Sequence, residues 1–258
     1  MKDRLSRLYL YLIFVFLYAP IIILMIYSFN ESKYRVWTGF SLKWYIELFQ
    51  DRQIMEALYN TVFVAVIAAL SSTVIGTVAA IGIESLKKWQ KSAVMNVTML
   101  PVLNPDIVTG ISLMLLFYIA KLPTGRFTLI LAHMAFCIPY VILSVMPKLR
   151  QVNKSTYEAA LDLGATPANA TWKITVPEIM PGVINGLLMA FTLSIDDFIV
   201  SYFTTGPGVE NLSILIYNAA KKGVSPSINA LSALMFAVIL ILLVIINIRS
   251  KKTSEEIA

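Results

Sequence analysis

Residues 155–181 read STYEAALDLGATPANATWKITVPEIMP, and this polar segment interrupts an otherwise apolar second half of the chain. Ser155 is placed to cap a helix, and Glu158, three residues later, would complete a capping box with it. Gly164 predicts the end of that helix, because glycine readily adopts the left-handed conformation that closes one. The segment is therefore predicted to begin with one short helix.

A second short helix is predicted after this glycine. Thr166 can cap it, and Pro167 suits its first position, where a backbone N–H has no partner within the helix. Pro177 and Pro181 are expected to break the chain again before the next apolar run, since each removes a backbone donor. Two short polar helices between apolar runs form a helix–turn–helix that a partner protein can bind.

The spacing within this segment resembles the EAA loop of ABC importer permeases, the loop by which those permeases contact their ATPase. Glu158-Ala159-Ala160, Gly164, Ile174 and Val176-Pro177 carry the resemblance, although the family usually has Leu-Pro at the last position. It implies that residues 148–182 form cytoplasmic coupling helices. The residues implied in ATPase coupling are Glu158, Ala159, Ala160, Gly164, Ile174 and Pro177.

The segment has two other possible interpretations besides a coupling loop. The segment can be a polar connection between two spans, with no partner. It can also be a DNA-binding helix–turn–helix, but its second helix offers only Lys173 as a basic side chain to phosphate. The coupling loop is the favoured interpretation because spacing, glycine placement and apolar surroundings agree.

The composition identifies a protein that lies in membrane lipid. Hydrophobic residues make up 58% of the 258 residues and charged residues only 14%, whereas about a quarter of a soluble domain is charged. The mean hydropathy of +0.75 agrees. The net charge of +6 is therefore attributed to basic cytoplasmic loops and not to nucleic-acid binding. With Cys137 as its single cysteine, the chain can form no internal disulfide.

Six apolar stretches are long enough to cross a bilayer as helices, for which about 20 residues suffice. They lie at about residues 8–28, 61–83, 93–120, 127–147, 183–203 and 227–248. Pro101 and Pro105 are expected to interrupt the third stretch. Residues 41–51 predict an amphipathic helix along the membrane surface, with Trp44 and Tyr45 at the interface. We predict an all-α membrane protein with one transmembrane domain, residues 1–258.

Basic residues indicate the orientation of these spans. With six spans, both termini lie on the same side as the 84–92 turn and the EAA loop. These four segments carry 13 of the 21 Lys and Arg residues, and the loops on the other side carry 8. The positive-inside rule therefore places both termini and the EAA loop in the cytoplasm, where ATP is found.

Three carboxylates lie within the predicted spans, namely Asp106, Asp196 and Asp197. Each costs about 3 kcal/mol at a helix centre on insertion scales, and no predicted span contains a Lys or Arg to pair with them. At 1.5 Å per residue all three lie roughly 20 Å from the inner end. They indicate an acidic ring along a pathway. The alternative is that an acid is protonated or caps a broken helix, as Asp106 after Pro105 would.

Few other residues carry chemistry. His133 is expected to be a hydrogen-bonded packing residue, and Phe198 and Tyr202 to anchor a helix end. An aromatic face beside carboxylates nevertheless suits an organic ammonium group, through cation–π attraction. The sequence has no phosphate-binding Gly-Lys-Ser/Thr loop, metal-ligand cluster or nucleophile–base pair. We therefore predict that this chain is not an enzyme and binds no cofactor, with ATP and magnesium bound by a partner ATPase.

Nearly the whole chain resembles the permease subunits of spermidine/putrescine ABC importers. The matching segments are Ser28-Phe29-Asn30, Trp44-Tyr45, Asn104-Pro105-Asp106-Ile107-Val108, residues 192–208 (TLSIDDFIVSYFTTGPG) and Val224-Ser225-Pro226. Those permeases commonly have serine where this chain has Asn104. The resemblance implies a type I ABC importer permease in a bacterial inner membrane. Its implied partners are a second permease, two ATPase subunits and an extracytoplasmic polyamine-binding protein.

The same resemblance implies a polyamine pathway through this chain. It assigns Trp44, Asp106 and the Asp196-Asp197 pair to that pathway. Trp44, Phe198 and Tyr202 are candidate walls for the methylene groups of a polyamine, and Tyr45 is added to the pathway residues. Two other functions stay open at this point, an ABC importer for another solute and a stand-alone channel or secondary transporter. Unpaired acids disfavour an anionic solute, and a channel has no use for an EAA loop.

The predicted orientation can be tested by cysteine labelling. In a Cys137→Ala background, Asn169→Cys should react with an impermeant thiol reagent only after the membrane is permeabilised, because position 169 is predicted to be cytoplasmic. Leu122→Cys, in a loop predicted to lie outside, is the matched control and should react in intact cells. Labelling of Asn169→Cys in intact cells would contradict the orientation.

Overall fold

The computed structural model describes residues 2–33, 36–222 and 226–255. Regular structure in these ranges is helical, apart from an isolated antiparallel bridge between Asn30 and Phe40. Val224 and Ser225 lie outside the described residues. The helical elements are α1 (Lys2–Ser28), α2 (Lys43–Gln50), α3 (Arg52–Glu84), α4 (Lys88–Leu103), α5 (Asp106–Ile119), α6 (Arg126–Leu149), α7 (Lys154–Asp162), α8 (Pro167–Ala170), a π-helical segment (Thr171–Thr175), α9 (Val176–Asp196), α10 (Ile199–Thr204), α11 (Leu212–Lys222) and α12 (Pro226–Glu255).

Several described helices are long and apolar enough to cross a membrane. Four of them satisfy both conditions, over Tyr9–Ser28, Arg52–Glu84, Arg126–Leu149 and Pro167–Asp196. The bent pair of α4 and α5 makes five if the pair is one span, and the apolar described part of α12, Pro226–Ile241, is shorter. An all-α protein with multiple apolar helices is therefore confirmed. The number six and the orientation stay predictions.

The third predicted span is not one continuous helix. The axes of α4 and α5 are bent by 105°, and the backbones of Asn104 and Pro105 between them are extended. Proline lacks a backbone donor and disfavours helical geometry at the residue before it, so α4 ends at Leu103. The predicted interruption is confirmed, with the break at Asn104-Pro105 and with Pro101 still inside α4.

The fifth predicted span, residues 183–203, is also divided. α9 ends at Asp196, and α10 begins at Ile199. Asp197 between them has an extended backbone, with φ −61° and ψ 129°. The assumption that Asp196 and Asp197 are neighbours on one helix is therefore wrong, and the two side chains enter different surroundings.

The expectation that Pro177 and Pro181 break the chain is wrong. A continuous helical run extends from α8 through the π-helical segment into α9. Pro177 lies in the first turn of α9, directly after the π-helical segment. The hydrogen-bond register changes there, so the missing proline donor is accommodated without a break. Pro181 lies within α9, where Ser144 Oγ donates to the adjacent carbonyl of Gly182 at 3.0 Å.

Contacts divide the chain into two compact units, so the single domain stays a prediction. The first unit consists of Met1–Leu58 and Leu212–Ile241. Its buried apolar cluster is formed by Trp44, Leu48, Ile54, Ala57, Leu212, Leu215, Ala230 and Leu231. Trp44 is only 3% exposed, so its ring packs among the apolar residues of this cluster. Its place at the membrane interface stays a prediction.

Two sequence segments of the first unit are joined by hydrogen bonds and ring stacking. The indole Nε1 of Trp44 donates to the carbonyl of Asn30 at 2.6 Å. The hydroxyls of Tyr45 and Ser28 lie 2.7 Å apart, and the rings of Tyr45 and Phe29 are stacked at 5.1 Å. The Ser-Phe-Asn and Trp-Tyr segments are therefore partners that fix α2 to the end of α1.

The second unit consists of Tyr59–Asn211 and Leu242–Ala258, and α3, α6 and α9 form its main core. Small residues allow these helices to approach closely. A Cβ added to Gly76 of α3 would lie 2.7 Å from Cγ1 of Val141 in α6, and one added to Gly186 of α9 would lie 3.3 Å from the same atom. The small residues of the second predicted span, residues 61–83, thus permit close packing.

The close approach at Gly76 predicts a destabilising substitution. Gly76→Ala should lower the stability of the purified chain by about 1–3 kcal/mol, because the new methyl overlaps the side chain of Val141. Gly82→Ala is the matched control in the same helix, since no atom lies within 4 Å of an added Cβ there. Both substitutions gain the same helix propensity, so thermal unfolding isolates the overlap. Equal midpoints for the two variants would refute it.

Candidate functional site

The polar segment folds as α7 followed by α8, but the predicted second short helix is not separate, because α8 continues through the π-helical segment into α9. α7 starts earlier than predicted, because Asn153 is its N-cap and Oδ1 of Asn153 accepts from the N–H of Ser155 at 3.0 Å. Ser155 therefore lies inside the helix, and the predicted capping box between Ser155 and Glu158 is wrong. Glu158 lies in the second turn, where its side chain is exposed and available to a partner.

Gly164 ends α7 as predicted. Its φ is +86°, a conformation that a residue with a side chain rarely adopts. The N–H of Gly164 bonds the carbonyl of Leu161 at 2.9 Å, and the N–H of Ala165 bonds the carbonyl of Ala160 at 3.0 Å. This pair of bonds is a Schellman motif, which satisfies the last carbonyls of the helix. Gly164 thus sets the angle at which the chain enters α8.

The start of α8 also agrees with its sequence. Oγ1 of Thr166 accepts from the N–H of Asn169 at 3.3 Å, and Pro167 occupies the first turn. Of the other residues predicted to couple to an ATPase, Ala159 and Pro177 are exposed, and Ala160 and Ile174 are half-buried. The segment therefore forms an exposed helix–turn–helix.

Two exposed apolar residues on this segment were not identified from the sequence. Leu163 is 89% exposed and Trp172 is 67% exposed. They are the two large apolar side chains that the described structure leaves exposed between residues 154 and 175. Their isolation among polar neighbours was the available signal.

A cavity of about 310 Å³ lies between this segment and the ends of two long helices. Glu84 of α3, Leu149 of α6 and Tyr157 and Glu158 of α7 contribute to its lining. The carboxylate of Glu84 also accepts from Nζ of Lys91 at 2.6 Å. Residues of α7 and the ends of α3 and α6 therefore line one common cavity.

The first of the predicted acids, Asp106, lies at the beginning of α5. Its side chain is exposed, and its negative charge is favourable at a helix N-terminus. One turn later, a Cβ added to Gly110 would lie 3.4 Å from Cα of Val200 in α10. This close approach packs the start of α5 against α10, so that the third and fifth predicted spans meet near their breaks.

The two acids of the fifth predicted span have side chains in different surroundings. Asp196 is the last residue of α9 and is exposed, whereas the side chain of Asp197 is only 9% exposed. Oδ2 of Asp197 accepts from the N–H of Ser201 at 2.7 Å, and Oδ1 accepts from the N–H of Val200 at 3.3 Å. Asp197 therefore caps α10, the role that the sequence had offered as an alternative for a membrane acid.

His133 is buried and hydrogen-bonded, as predicted. It is 1% exposed, with Nδ1 2.6 Å from Oγ of Ser194 and Nε2 2.9 Å from Oγ of Ser201. Its Nε2 also lies 3.5 Å from Oδ2 of Asp197. The imidazole of α6 thus contacts residues on both sides of the break between α9 and α10.

The predicted aromatic residues fall into both compact units. Phe198 and Tyr202 flank the break in the second unit, with their rings tilted at 5.6 Å, and Tyr202 is exposed. Trp44 and Tyr45 belong to the first unit. The ring of Trp44 faces the ammonium group of Lys43 at 5.4 Å, so a lysine of this chain already uses its cation–π capacity.

Known proteins are similar to this chain in sequence and in fold. A family model described as "Binding-protein-dependent transport system inner membrane component" matches residues 72–250. The putrescine transport system permease protein PotI of Escherichia coli strain K12 is 40% identical over 234 residues, which cover 88% of this chain and 83% of that protein. The spermidine/putrescine transport system permease protein PotC of Haemophilus influenzae is 36% identical over 252 residues, covering 97% and 98%.

Solved structures of ABC transporters resemble the chain in fold. A chain of a bacterial ABC transporter that imports the acidic polysaccharide alginate has a TM-score of 0.71 at 20% identity, covering 97% of this chain and 96% of that one. A chain of the MetNI methionine ABC transporter has a TM-score of 0.57 at 17% identity, covering 81% and 99%. At such identities the likeness concerns the fold alone.

Proposed function

Because the chain belongs to the family of binding-protein-dependent transport system inner membrane components, we propose that it is the permease subunit of an ABC importer for polyamines. Its relatives PotI and PotC are named as putrescine and spermidine/putrescine permeases. The fold alone does not select a substrate, since a similar fold occurs in an importer of an acidic polysaccharide. The substrate assignment therefore depends on the residues at the helix breaks.

The observation that carries this assignment is the pair of exposed carboxylates at two breaks, Asp106 and Asp196. Asp196 is the last residue of α9, where the helix dipole is negative, so its charge adds to the field of the free carbonyls. Such a helix end in a membrane favours a cation. Polyamines carry the required ammonium groups.

Phe198 and Tyr202 support a substrate with methylene groups between its charges. Both lie at the α9–α10 break, and Tyr202 is exposed. An aromatic face contacts methylenes and attracts an ammonium group. We assign Asp106, Asp196, Phe198 and Tyr202 to a transient station, with strong affinity left to an external binding protein.

The proposed transport cycle is alternating access. ATP closes an ATPase dimer, which displaces the EAA loop, and the loop displaces the ends of α3 and α6 that it contacts. The contacts at the acids then break, and the polyamine is released to the cytoplasm. Leu163 and Trp172 extend the ATPase contact beyond Glu158, Ala159, Ala160, Gly164, Ile174 and Pro177.

The proposed assembly contains this chain, a second permease, two ATPase subunits that bind ATP and magnesium, and an extracytoplasmic polyamine-binding protein. The chain would cross a bacterial inner membrane six times, with both termini in the cytoplasm. The excess of Lys and Arg in the loops assigned to the cytoplasm supports this orientation. The ABC transporter fold of similar structures supports the assembly.

The coupling role predicts the effect of Glu158→Lys. The variant should accumulate in the membrane but bind less ATPase and transport at least about tenfold more slowly, since reversing an interfacial charge costs ~1.4 kcal/mol or more. Co-purification with the ATPase and uptake by membrane vesicles measure both effects. Glu47→Lys, an exposed charge reversal on α2, is the control and should assemble normally. Normal assembly and transport by Glu158→Lys would refute the docking role.

The acidic station predicts charge-dependent uptake. Asp106→Asn and Asp196→Asn should each lower polyamine uptake at least about tenfold, because each removes an ion pair with an ammonium group at nearly constant volume. Uptake of labelled putrescine and spermidine into vesicles measures the loss. Glu47→Gln removes one exposed charge elsewhere and should leave uptake unchanged. Unaltered uptake by both aspartate variants would remove the physical support for a polyamine substrate.

A further inference from the structure

We propose that the adjacent acids Asp196 and Asp197 have separate functions in transport. Asp197, together with His133, is a positioning unit that holds the break between α9 and α10. Asp196 is the acid of the pair that meets the ammonium groups of the substrate. The assignment of Asp196 rests on the proposed polyamine function, whereas the role of Asp197 rests on its own contacts.

The carboxylate of Asp197 is engaged with the backbone of α10. Its two oxygens accept from the N–H groups of Val200 and Ser201 at 3.3 and 2.7 Å. These donors have no partner within a helix that begins at Ile199, and water is scarce at such a depth. Asp197 therefore satisfies the backbone that the break exposes, and its low exposure keeps it from the solvent-accessible surface.

His133 fixes the position of the break from a third helix. Its two ring nitrogens contact Ser194 at the end of α9 and Ser201 within α10. One tautomer satisfies the whole set, with Nδ1 accepting from Ser194 and Nε2–H donating toward Oγ of Ser201 and Oδ2 of Asp197. The same ring thus links both sides of the break and faces the capping carboxylate.

Asn211 connects the chain after α10 to the same cluster. Its Nδ2 donates to Oγ of Ser201 at 2.7 Å and to the carbonyl of Asp197 at 3.4 Å. Asn211 is buried, as are His133, Ser194 and Ser201. A buried polar network that is fully hydrogen-bonded specifies one arrangement, because losing a member leaves the others unpaired. The network therefore fixes the direction in which α9 ends.

Asp196 differs from Asp197 in the exposure of its side chain. It is exposed and follows Ile195, which is buried, so the fixed end of α9 presents its carboxylate away from the core. The two acids then differ in what each requires of its side chain. Position 197 requires a hydrogen-bond acceptor at a helix N-terminus, and position 196 requires negative charge.

Paired substitutions separate these requirements. Asparagine caps a helix about as well as aspartate, whereas alanine does not. Asp197→Asn keeps one of the two acceptor oxygens and should therefore keep more of the uptake rate than Asp197→Ala, which should lower the maximal rate about fivefold or more at unchanged KM. Asp196→Asn and Asp196→Ala should behave alike, each raising KM about tenfold, because both remove the charge. The measurement is initial uptake of labelled putrescine and spermidine by the complete importer in proteoliposomes.

Thermal unfolding of the purified full-length chain tests the network without any substrate. Asp197→Ala and His133→Phe should lower the midpoint by about 2–4 °C, through the lost cap and the unpaired serines. Asp197→Asn, which keeps one of the two acceptors, should lower the midpoint by less than Asp197→Ala, and Asp196→Asn should stay within about 1 °C of the unmutated chain. An unchanged midpoint for Asp197→Ala would overturn the positioning role even if the chain transports no polyamine.

The uptake results distinguish the two proposals. If the unmutated importer carries polyamines and Asp197→Asn raises KM as Asp196→Asn does, Asp197 is a substrate contact and the separation of roles is wrong. If Asp196→Asn transports normally while Asp197→Asn fails, the roles are reversed. If the unmutated importer carries no polyamine, the proposed function fails, and the unfolding midpoints alone decide the role of Asp197.

Discussion

A backbone group that leaves a helix within a membrane span must find a partner in the protein or in a water-filled cavity. This chain interrupts two of its predicted spans, at Asn104-Pro105 and at Asp197-Phe198. Proline makes the first interruption and removes one donor by its own chemistry. At the second, Asp197 accepts the donors that α10 leaves open. The exposed position of Asp196 and the packing of α5 on α10 both depend on this second break.

Close packing of α3, α6 and α9 lies between the helix breaks and the polar segment, which is at the opposite ends of α6 and α9. Val141 of α6 lies against Gly76 of α3 and Gly186 of α9, and larger residues at either glycine would hold the helices apart. Well-packed helices move as rigid bodies because their interfaces deform little. α7 lines a cavity together with the ends of α3 and α6, and the proposed coupling to the acids would pass through these packed helices.

Local chemistry explains which features could be predicted before the structure. The end of α7 at Gly164 and the start of α8 at Thr166-Pro167 depend on neighbouring residues only, so the sequence sufficed. The start of α7 was misplaced because Asn153, Ser155 and other polar residues compete for one cap, and the sequence does not rank them. The chain break expected at Pro177 does not occur for a related reason. The π-helical segment before it changes the hydrogen-bond register, so the backbone donor that proline lacks is accommodated.

The sequence by itself determined the membrane class, the polar segment with its turn at Gly164 and the presence of three acids in the predicted spans, because composition and local motifs can be read without knowing which segments are in contact. Only the tertiary structure decided what each acid does. Asp196 and Asp197 are adjacent in the chain, but an extended residue between two helices sends one outward and the other to His133, 64 positions away. Burial and hydrogen bonding arise from contacts between distant segments. A single sequence, read without an alignment, does not show which distant segments are in contact.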